Sequence, residues 1–298
     1  MLACTASFDG LEPRCPADFN REQYARGILE ERLQAAVTVT AAIFSPCGEF
    51  LVCASDSGRL AMWELAPYMD RAAWAEGTRP DVTPDLSFQA DDSCINCLSF
   101  AGDVLLCGGD ESLFGWHFRD LVSALETGER PPRQPGLCVR CPQSRARRGG
   151  LLPHPEINDV RFDQATQRVL CAAGDGKAYE WDFSGAGPSD MPVKTFDGHR
   201  GYLHAVASAP GSSVVATGSE DGFVGLWDSR MNASSSTGGA TLGYLKLAHA
   251  KSGNGSTGSP LEESGRGEET GGGGHEWVSC LEMDEGGHTL VCGGGGGG

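Results

Sequence analysis

The stretch Gly198–Arg230, GHRGYLHAVASAPGSSVVATGSEDGFVGLWDSR, decides the fold of this 298-residue chain. It contains three short apolar runs, at 203–207, 214–217 and 223–227. Pro210-Gly211 lies between the first two runs, and Asp221-Gly222 lies between the last two. Short runs rich in Val and Leu with turn residues between them predict antiparallel strands in a meander. A meander that opens on Gly-His and closes on Trp-Asp is typical of one blade of a β-propeller.

Four polar residues of this stretch can form one hydrogen-bonded chain: His199, Thr217, Asp221 and Trp227. Such a chain would run from the entry loop, through the middle strands, to the indole N–H. Each of these groups is costly to bury without a partner. A His–Asp pair also occurs in catalytic triads, but no nucleophile stands at a fixed offset from it here. We therefore predict that the four residues form a structural tetrad that holds the blade together.

The same pattern recurs along the chain and predicts an all-β fold, a WD-repeat β-propeller. Blades are expected near 37–65, 93–118, 156–183, 198–230 and 275–298, within a propeller domain that spans 37–298. The last of these intervals has room for only two strands, so about four and a half blades are present. Because a propeller protects its sheet edges by closing on itself, we expect the sequence to be truncated from a longer propeller.

Three segments lie outside the predicted blades. Residues 1–36 form an N-terminal arm, in which 1–20 show no periodicity and 21–36 predict a short amphipathic helix. That helix either packs on its own domain or docks on a partner. Loop insertions are predicted at 119–152 and 231–274. The second insertion is rich in Gly, Ser and Thr, and such a composition cannot bury a core.

The charge of the chain argues against nucleic acid as a main partner. The formal net charge is −17 and the pI is about 4.7, so the surface as a whole repels a phosphate backbone. A possible phosphate-contacting loop is the exception, and its basic residues are Arg140, Arg145, Arg147 and Arg148. It has no aromatic residue on which a base could stack. We therefore favour a solvated loop, with direct nucleic-acid binding weak or absent.

Two Cys-x-x-Cys pairs, Cys94/Cys97 and Cys138/Cys141, raise the question of a zinc site. When the repeats are aligned, cysteine recurs at one place in the second strand, which indicates a small apolar side chain rather than a ligand. The cysteines at that place are Cys53, Cys107, Cys171 and Cys292, and Cys97 and Cys280 share another place in the first strand. The other pair has only His154 as a further candidate ligand, one short of a complete zinc site. We predict no metal, no cofactor and no disulfide.

The sequence lacks the patterns of secreted, membrane-spanning and catalytic proteins. The N-terminal MLACTASFDG has no basic start followed by an apolar core, so no secretory signal is predicted. No run approaches the ~18 consecutive apolar residues of a membrane span. Nucleophile elbows, phosphate-binding loops and metal triads are not found. We expect a soluble, intracellular protein that is not an enzyme.

Five segments, taken together, resemble the THO-complex branch of the WD-repeat family. They occur in the family's order and cover most of residues 37–295: FSPCGEFLVCASDSGRLAMWEL, SFQADDSCINCLSFAGDVLLCGGD, PEINDVRF, GHRGYLHAVA with GSEDGFVGLWDSR, and WVSCLEMDEGGHTLVCGGG. The resemblance implies a propeller of about seven blades that acts as a non-catalytic scaffold inside the nuclear THO complex. THO is part of the TREX assembly, which couples transcription and messenger RNA processing to mRNA export. The partners implied are the other THO subunits.

A second resemblance concerns the end of the deciding stretch. Trp227-Asp228-Ser229-Arg230 fits the WDxR box with which substrate receptors of cullin E3 ubiquitin ligases bind the ligase adaptor. The alternative interpretation is that Asp228 and Arg230 only cap the blade and its exit loop. Both interpretations stay open on the sequence, and the ligase role does not exclude the THO role.

Overall fold

The computed structural model describes residues 37–69, 82–132, 134–144, 151–185, 187–188, 191–231, 241–246 and 276–296. Chain contacts group Val39–Gly298 into one compact unit, and all the described strands lie in it. The helix predicted for residues 21–36 lies outside the described residues.

Four antiparallel sheets of four strands follow one another along the chain, and each is one blade. The first blade contains β1 (Val39–Phe44), β2 (Phe50–Ser55), β3 (Arg59–Glu64) and β4 (Leu86–Gln89). The second contains β5 (Ile95–Ala101), β6 (Val104–Gly109), β7 (Leu113–His117) and β8 (Leu137–Val139). The third contains β9 (Ile157–Asp163), β10 (Arg168–Ala173), β11 (Lys177–Asp182) and β12 (Lys194–Asp197). The fourth contains β13 (Leu203–Ser208), β14 (Val214–Ser219), β15 (Phe223–Asp228) and β16 (Thr241–Lys246).

A fifth sheet has two described strands, β17 (Glu276–Met283) and β18 (Leu290–Gly296). Two helices are described, α1 (Ala66–Met69) and α2 (Phe118–Thr127), and neither has the length and apolar character that a membrane crossing requires. The prediction of an all-β WD-repeat propeller, with about four and a half blades present, is confirmed.

Glycine in the left-handed region makes the tight turn between the second and third strands of a blade. Gly58 (φ +75°) and Gly222 (φ +81°) occupy the same place in the turns of the first and fourth blades. At Gly58 a Cβ atom would also collide with the carbonyl oxygen of Asp91. Glycine adopts a positive φ without the steric cost that a side chain brings. The Asp56-Ser57-Gly58 and Asp221-Gly222 signals in the sequence therefore mark these turns correctly.

The fourth strand of each blade is not visible in the sequence pattern. Strand β8 and helix α2 lie within 119–152 or at its border, and β16 lies within 231–274. The prediction that these two segments are loop insertions therefore needs correction for those residues. Leu121 and Ala124 of α2 are buried, and β8 and β16 gain backbone hydrogen bonds from β7 and β15. Tertiary pairing, rather than local composition, orders these short stretches.

Apolar side chains pack between successive sheets and form the core. One cluster between the second and third blades includes Leu106, Ile157 and Trp181. Another, between the third and fourth blades, includes Leu170, Phe196 and Trp227. Similar clusters join the first blade to the second and the fourth blade to the fifth sheet. Each sheet is therefore stabilised by burial against its neighbour in the chain.

Candidate functional site: the fourth blade

The four residues of the predicted tetrad form one hydrogen-bonded chain in the fourth blade. His199 precedes β13, Thr217 lies on β14, Asp221 lies in the β14–β15 turn and Trp227 lies on β15. His199 Nδ1 lies 3.0 Å from Asp221 Oδ2, and His199 Nε2 lies 2.8 Å from Thr217 Oγ1. The indole Nε1–H of Trp227 donates to Thr217 Oγ1 at 2.8 Å.

The donors and acceptors of this chain fit a single pattern. A carboxylate only accepts, so Nδ1 of His199 donates to Asp221. The other nitrogen, Nε2, then accepts the hydroxyl proton of Thr217, and the threonine oxygen accepts the indole N–H of Trp227. The side chain of His199 is 0% exposed, and Thr217 and Trp227 are 0% exposed as whole residues. Every polar group that the blade buries here has a partner, as buried polar groups require.

The order Thr–His–Asp is also the bonding order of a catalytic triad, and burial decides against that role. A nucleophile must be reached by its substrate. Thr217 is fully buried, and its oxygen accepts the indole N–H of Trp227. The geometry therefore supports a stabilising function for these residues.

The carboxyl group of Asp221 is held in its charged form. Burial raises its pKa, but hydrogen bonds from His199 Nδ1 and from the backbone N–H of Arg200 and Phe223 outweigh burial, so the pKa lies below its ordinary value. A carboxyl group with a lowered folded-state pKa contributes stability that is fully present above its unfolded-state pKa. That contribution is lost as the pH falls through the folded-state pKa.

We expect the stability difference between the wild type and Asp221→Asn to depend on pH. The difference in the free energy of unfolding should be largest near neutral pH and should shrink below about pH 4, where the unfolded-state carboxyl group binds its proton. Urea denaturation at a series of pH values measures it. A difference that stays constant down to pH 3 would show that the Asp221 charge does not stabilise the blade.

Asp228 and Arg230 of the WDxR box bind each other at the exit of β15. Arg230 Nη2 donates to Asp228 Oδ2 at 2.7 Å, Arg230 Nε donates to Oδ1 at 3.0 Å, and the backbone N–H of Arg230 donates to Oδ1 at 2.9 Å. These bonds lower the pKa of Asp228 to about 2. The side chain of Arg230 is 76% exposed. The pair closes the exit turn of the blade, and it also presents a guanidinium group at the surface.

Of the four basic residues predicted to contact phosphate, the structure describes only Arg140. Arg140 is exposed and lies 4.0 Å from Glu111, whereas Arg145, Arg147 and Arg148 lie outside the described residues. The phosphate-contacting loop therefore stays a prediction.

The cysteines follow the predicted alignment in the strand register. Cys53, Cys107, Cys171 and Cys292 pair with equivalent positions of their first strands, namely Ala42, Leu98, Val160 and Leu281. Cys141 is buried in the core, which raises the pKa of its thiol, whereas Cys138 is exposed. His154 uses Nδ1 in a 2.8 Å hydrogen bond with the Cys141 carbonyl. Within the described ranges, no group of three or more His, Cys, Asp or Glu side chains is placed to hold a metal ion.

Comparison with known proteins agrees with the blade assignment. The family "WD domain, G-beta repeat" matches residues 30–64 and 190–228, which contain most of the first and fourth blades. THO complex subunit 6 of Arabidopsis thaliana is 32% identical over 228 residues, which cover 71% of this chain and 61% of the relative. The chain contains WD repeats and is similar to THO complex subunit 6.

Animal proteins of the same name are also similar to this chain. THO complex subunit 6 of Homo sapiens is 27% identical over 197 residues, covering 65% of this chain and 51% of the relative. The THO complex subunit 6 homolog of Rattus norvegicus is 26% identical over 262 residues, covering 87% of this chain and 63% of the relative. The matched region thus spans between half and two thirds of the length of these THO complex subunit 6 proteins.

In the part of the chain that the structure describes, the tetrad occurs only in the fourth blade, because cysteine takes the place of Thr217 in the other sheets. Thr217 pairs with Val206 and Gly225, and Cys171 pairs in the same way with Val160 and Tyr179. The indole Nε1 atoms of the closing tryptophans therefore have other partners or none. Trp63 donates to the Val82 carbonyl at 3.0 Å, Trp116 donates to the Pro132 carbonyl at 3.4 Å, and the buried Nε1 of Trp181 has no hydrogen-bond partner among the described residues.

Tyr179 takes over part of the histidine's role in the third blade. It occupies the position of Gly225, and its hydroxyl donates to Asp175 Oδ2 at 2.7 Å. Asp175 lies in the β10–β11 turn, as Asp221 lies in the β14–β15 turn. Burial and the neighbouring carboxylate raise the pKa of Tyr179, so the hydroxyl keeps its proton. The third blade therefore stabilises its turn through a tyrosine and leaves its tryptophan N–H without an acceptor.

The Cys171→Ser variant, changed in the third blade, should be more stable than the Cys107→Ser variant, changed in the second blade. A serine oxygen at 171 offers the buried Trp181 N–H the acceptor that Thr217 offers Trp227, whereas Trp116 already has one. An unsatisfied buried group costs about 1–3 kcal/mol. We expect the two variants to differ by about 1–3 kcal/mol in the free energy of unfolding, in favour of Cys171→Ser. Chemical denaturation measures both, and equal effects would contradict the alignment of Cys171 with Thr217.

Sequence reasoning missed a row of polar residues on the first strands, three of which join neighbouring blades. Each first strand has a register shift at one equivalent residue, and these residues are Thr40, Asn96, Asn158, His204 and Ser279. Thr40 donates to the Ile95 carbonyl, Asn96 Nδ2 donates to the Ile157 carbonyl at 3.3 Å, and Asn158 Nδ2 donates to the Leu203 carbonyl at 2.7 Å. The signal was available, since one polar residue recurs near the start of each apolar first strand.

Proposed function

We propose that this chain is a non-catalytic scaffold subunit of the THO complex. The observation that carries the proposal is the similarity of 65–87% of the chain to proteins named THO complex subunit 6 or its homolog. The fold supports it, because a series of packed sheets offers broad surfaces for other proteins. The buried hydrogen bonds of His199 and Asp221 also account for the triad-like arrangement of the fourth blade without any catalytic role.

The setting of this scaffold is nuclear messenger RNA processing and export, within the TREX assembly. Its partners are the other THO subunits, and no cofactor takes part. The net charge of −17 supports contacts with proteins rather than directly with the RNA backbone.

Co-expression with the other THO subunits tests direct assembly. The chain should elute with them as one peak in size-exclusion chromatography, at a mass above that of the chain alone. A THO assembly that forms without the chain, while the chain elutes folded and separate, would overturn the proposal. Circular dichroism of the separate peak distinguishes that result from misfolding.

The adaptor of a cullin E3 ubiquitin ligase is the second candidate partner, and the exposed guanidinium group of Arg230 is what favours it. On this hypothesis, Arg230→Ala loses capture of the purified adaptor and keeps its association with THO subunits. Arg200→Ala is the matched control, because Arg200 is also exposed but precedes the first strand of the blade. Equal adaptor capture by both variants would contradict the ligase role.

A further inference from the structure

A cavity of about 440 Å³ lies between the third and fourth blades. Its floor includes the apolar side chains of Leu170 and Val215. Hydroxyl and basic side chains form most of the wall: Thr166, Ser208, Ser212, Ser213, Ser229, Arg168, Lys194 and Arg230. Basic groups are scarce in this chain, which has 23 Lys and Arg against 40 Asp and Glu. Three of them line this cavity beside two carboxylates, Asp163 and Glu180, so basic groups outnumber acidic ones there, in contrast to the chain as a whole.

The carboxylates near this cavity already have internal donors. Asp163 accepts hydrogen bonds from the backbone N–H of Ala165 and Gly211 and from the Thr166 hydroxyl. Glu180 is paired with Arg168. Asp228 accepts three bonds from Arg230 at 2.7–3.0 Å. The acceptor capacity of the wall is thus largely taken up within the protein.

Several donors of the wall are not engaged in the same way. Lys194 is half-buried, and its ammonium group has no hydrogen bond or ion pair with any described residue, although it lies close enough to Asp228 to help lower the pKa of that carboxyl. The side-chain hydroxyls of Ser208, Ser213 and Ser229 are likewise without a hydrogen bond to the described residues. A half-buried ammonium that makes no direct hydrogen bond to the protein has given up part of its hydration. Lys194 and the three hydroxyls can therefore bind a ligand that only accepts hydrogen bonds.

We propose that this cavity binds a phosphoryl group, carried on a phosphorylated side chain of a partner protein. A phosphoryl group has three strong acceptor oxygens and pairs well with ammonium, guanidinium and hydroxyl donors. The cavity volume lies at the small end of the range for small-ligand sites, about 300–1,000 Å³, and suits one such group with a short stretch of chain.

The observations favour a phosphoprotein over RNA. A single phosphoryl group brings about two negative charges, whereas a nucleic-acid backbone brings one for every nucleotide to a chain of net charge −17. Among the described residues, none that lines the cavity is aromatic, so these residues offer a base no stacking surface. Phosphoryl binding at this cavity is a function beyond the proposed THO role, and it does not depend on that role.

Titration of the full chain with N-acetyl-phosphoserine amide, followed by amide NMR, tests the proposal. We expect saturable shifts of the backbone amide signals around Lys194 with the phosphorylated compound and no shifts with the unphosphorylated compound. Lys194→Ala should bind the phosphorylated compound at least about tenfold more weakly, as the loss of a charge-assisted hydrogen bond predicts. Lys194→Arg should retain binding within about threefold, because it keeps the charge and donors. Lys246→Ala is the matched control, since it removes an equal charge from exposed β16, and it should bind like the wild type.

Three outcomes would overturn the proposal. One is the lack of a saturable shift, and another is an equal response in Lys194→Ala and Lys246→Ala. The third is tighter binding of a uridine oligonucleotide than of phosphoserine amide at the same amide signals, which would assign the cavity to RNA. Cooperative urea unfolding of each variant verifies its fold. If Lys194→Ala does not fold, the comparison is made with Lys194→Gln, which keeps the length of most of the side chain.

Discussion

Trp227→Ala should lower the free energy of unfolding by about 3–5 kcal/mol, the usual cost of removing a fully buried aromatic side chain. Trp227 is 0% exposed, and its ring packs at centroid distances of 5.9 Å from Phe196 and 6.0 Å from Tyr244. The substitution also removes the donor of the Thr217 hydrogen bond. The fourth blade would therefore lose packing on β12 and β16 together with the end of its polar network. Chemical denaturation monitored by circular dichroism measures the change.

Trp63→Ala is the matched control for this variant. Trp63 closes the first blade, but it is only half-buried, and its indole N–H bonds the Val82 carbonyl rather than a buried side chain. We expect its cost to be smaller than that of Trp227→Ala by at least about 1 kcal/mol, because less apolar surface is removed from contact. Equal losses in the free energy of unfolding would show that the fully buried Trp227 stabilises the protein no more than the half-buried Trp63 does.

Gly225→Ala should destabilise the protein by about 2–4 kcal/mol, through overpacking and the loss of buried hydrogen bonds. A Cβ atom at Gly225 would lie 2.8 Å from His199 Nε2, 2.8 Å from Thr217 Oγ1 and 3.0 Å from Trp227 Cζ2. Three members of the tetrad would have to move at once, and none has free space, since all are buried. A single methyl group would thus disturb both hydrogen bonds of Thr217, the one with His199 and the one with Trp227.

Gly243→Ala provides the control in the next strand of the same blade. Gly243 lies on β16, opposite Leu226 of β15, and a Cβ atom at Gly243 would meet nothing within 4 Å. Replacing glycine by alanine without strain changes stability by about 1 kcal/mol or less, often favourably. Similar denaturation midpoints for Gly225→Ala and Gly243→Ala would show that the tetrad tolerates displacement.

The sequence predicts the first three strands of each blade because their residues carry local signals. Runs such as Val214 to Thr217 are apolar and end at Asp-Gly or Pro-Gly turns, and Trp residues mark the third strand. The outer strands carry no such signal. Leu137–Val139 has three residues and Thr241–Lys246 lies beside Gly- and Ser-rich sequence, and both become strands because β7 and β15 offer unpaired backbone groups. Order that depends on a neighbouring strand cannot be read from composition.

The candidate site also has a part that the sequence predicts and a part that only the structure shows. His199, Thr217, Asp221 and Trp227 stand in one repeat, so their hydrogen bonds can be anticipated from a single stretch. In the third blade Tyr179, at the position of Gly225, makes the hydrogen bond to the turn aspartate, and only the strand register, which pairs Tyr179 with Cys171, reveals this equivalence. The cavity beside Lys194 combines residues of two blades, from Asp163 to Arg230. Sites that form between repeats have no spacing rule within a repeat, so only the packed structure brings them together.

Affinity purification of the tagged chain from nuclear extract, with mass spectrometry of the bound proteins, tests the central proposal most directly. We expect the other THO subunits to be recovered in near-equal amounts, and we expect Trp227→Ala to lose them because its fourth blade unfolds. Arg200→Ala, which changes an exposed charge in the same blade, should retain them. A folded wild-type chain that recovers no THO subunit, from an extract in which the assembled complex is present, would contradict the account.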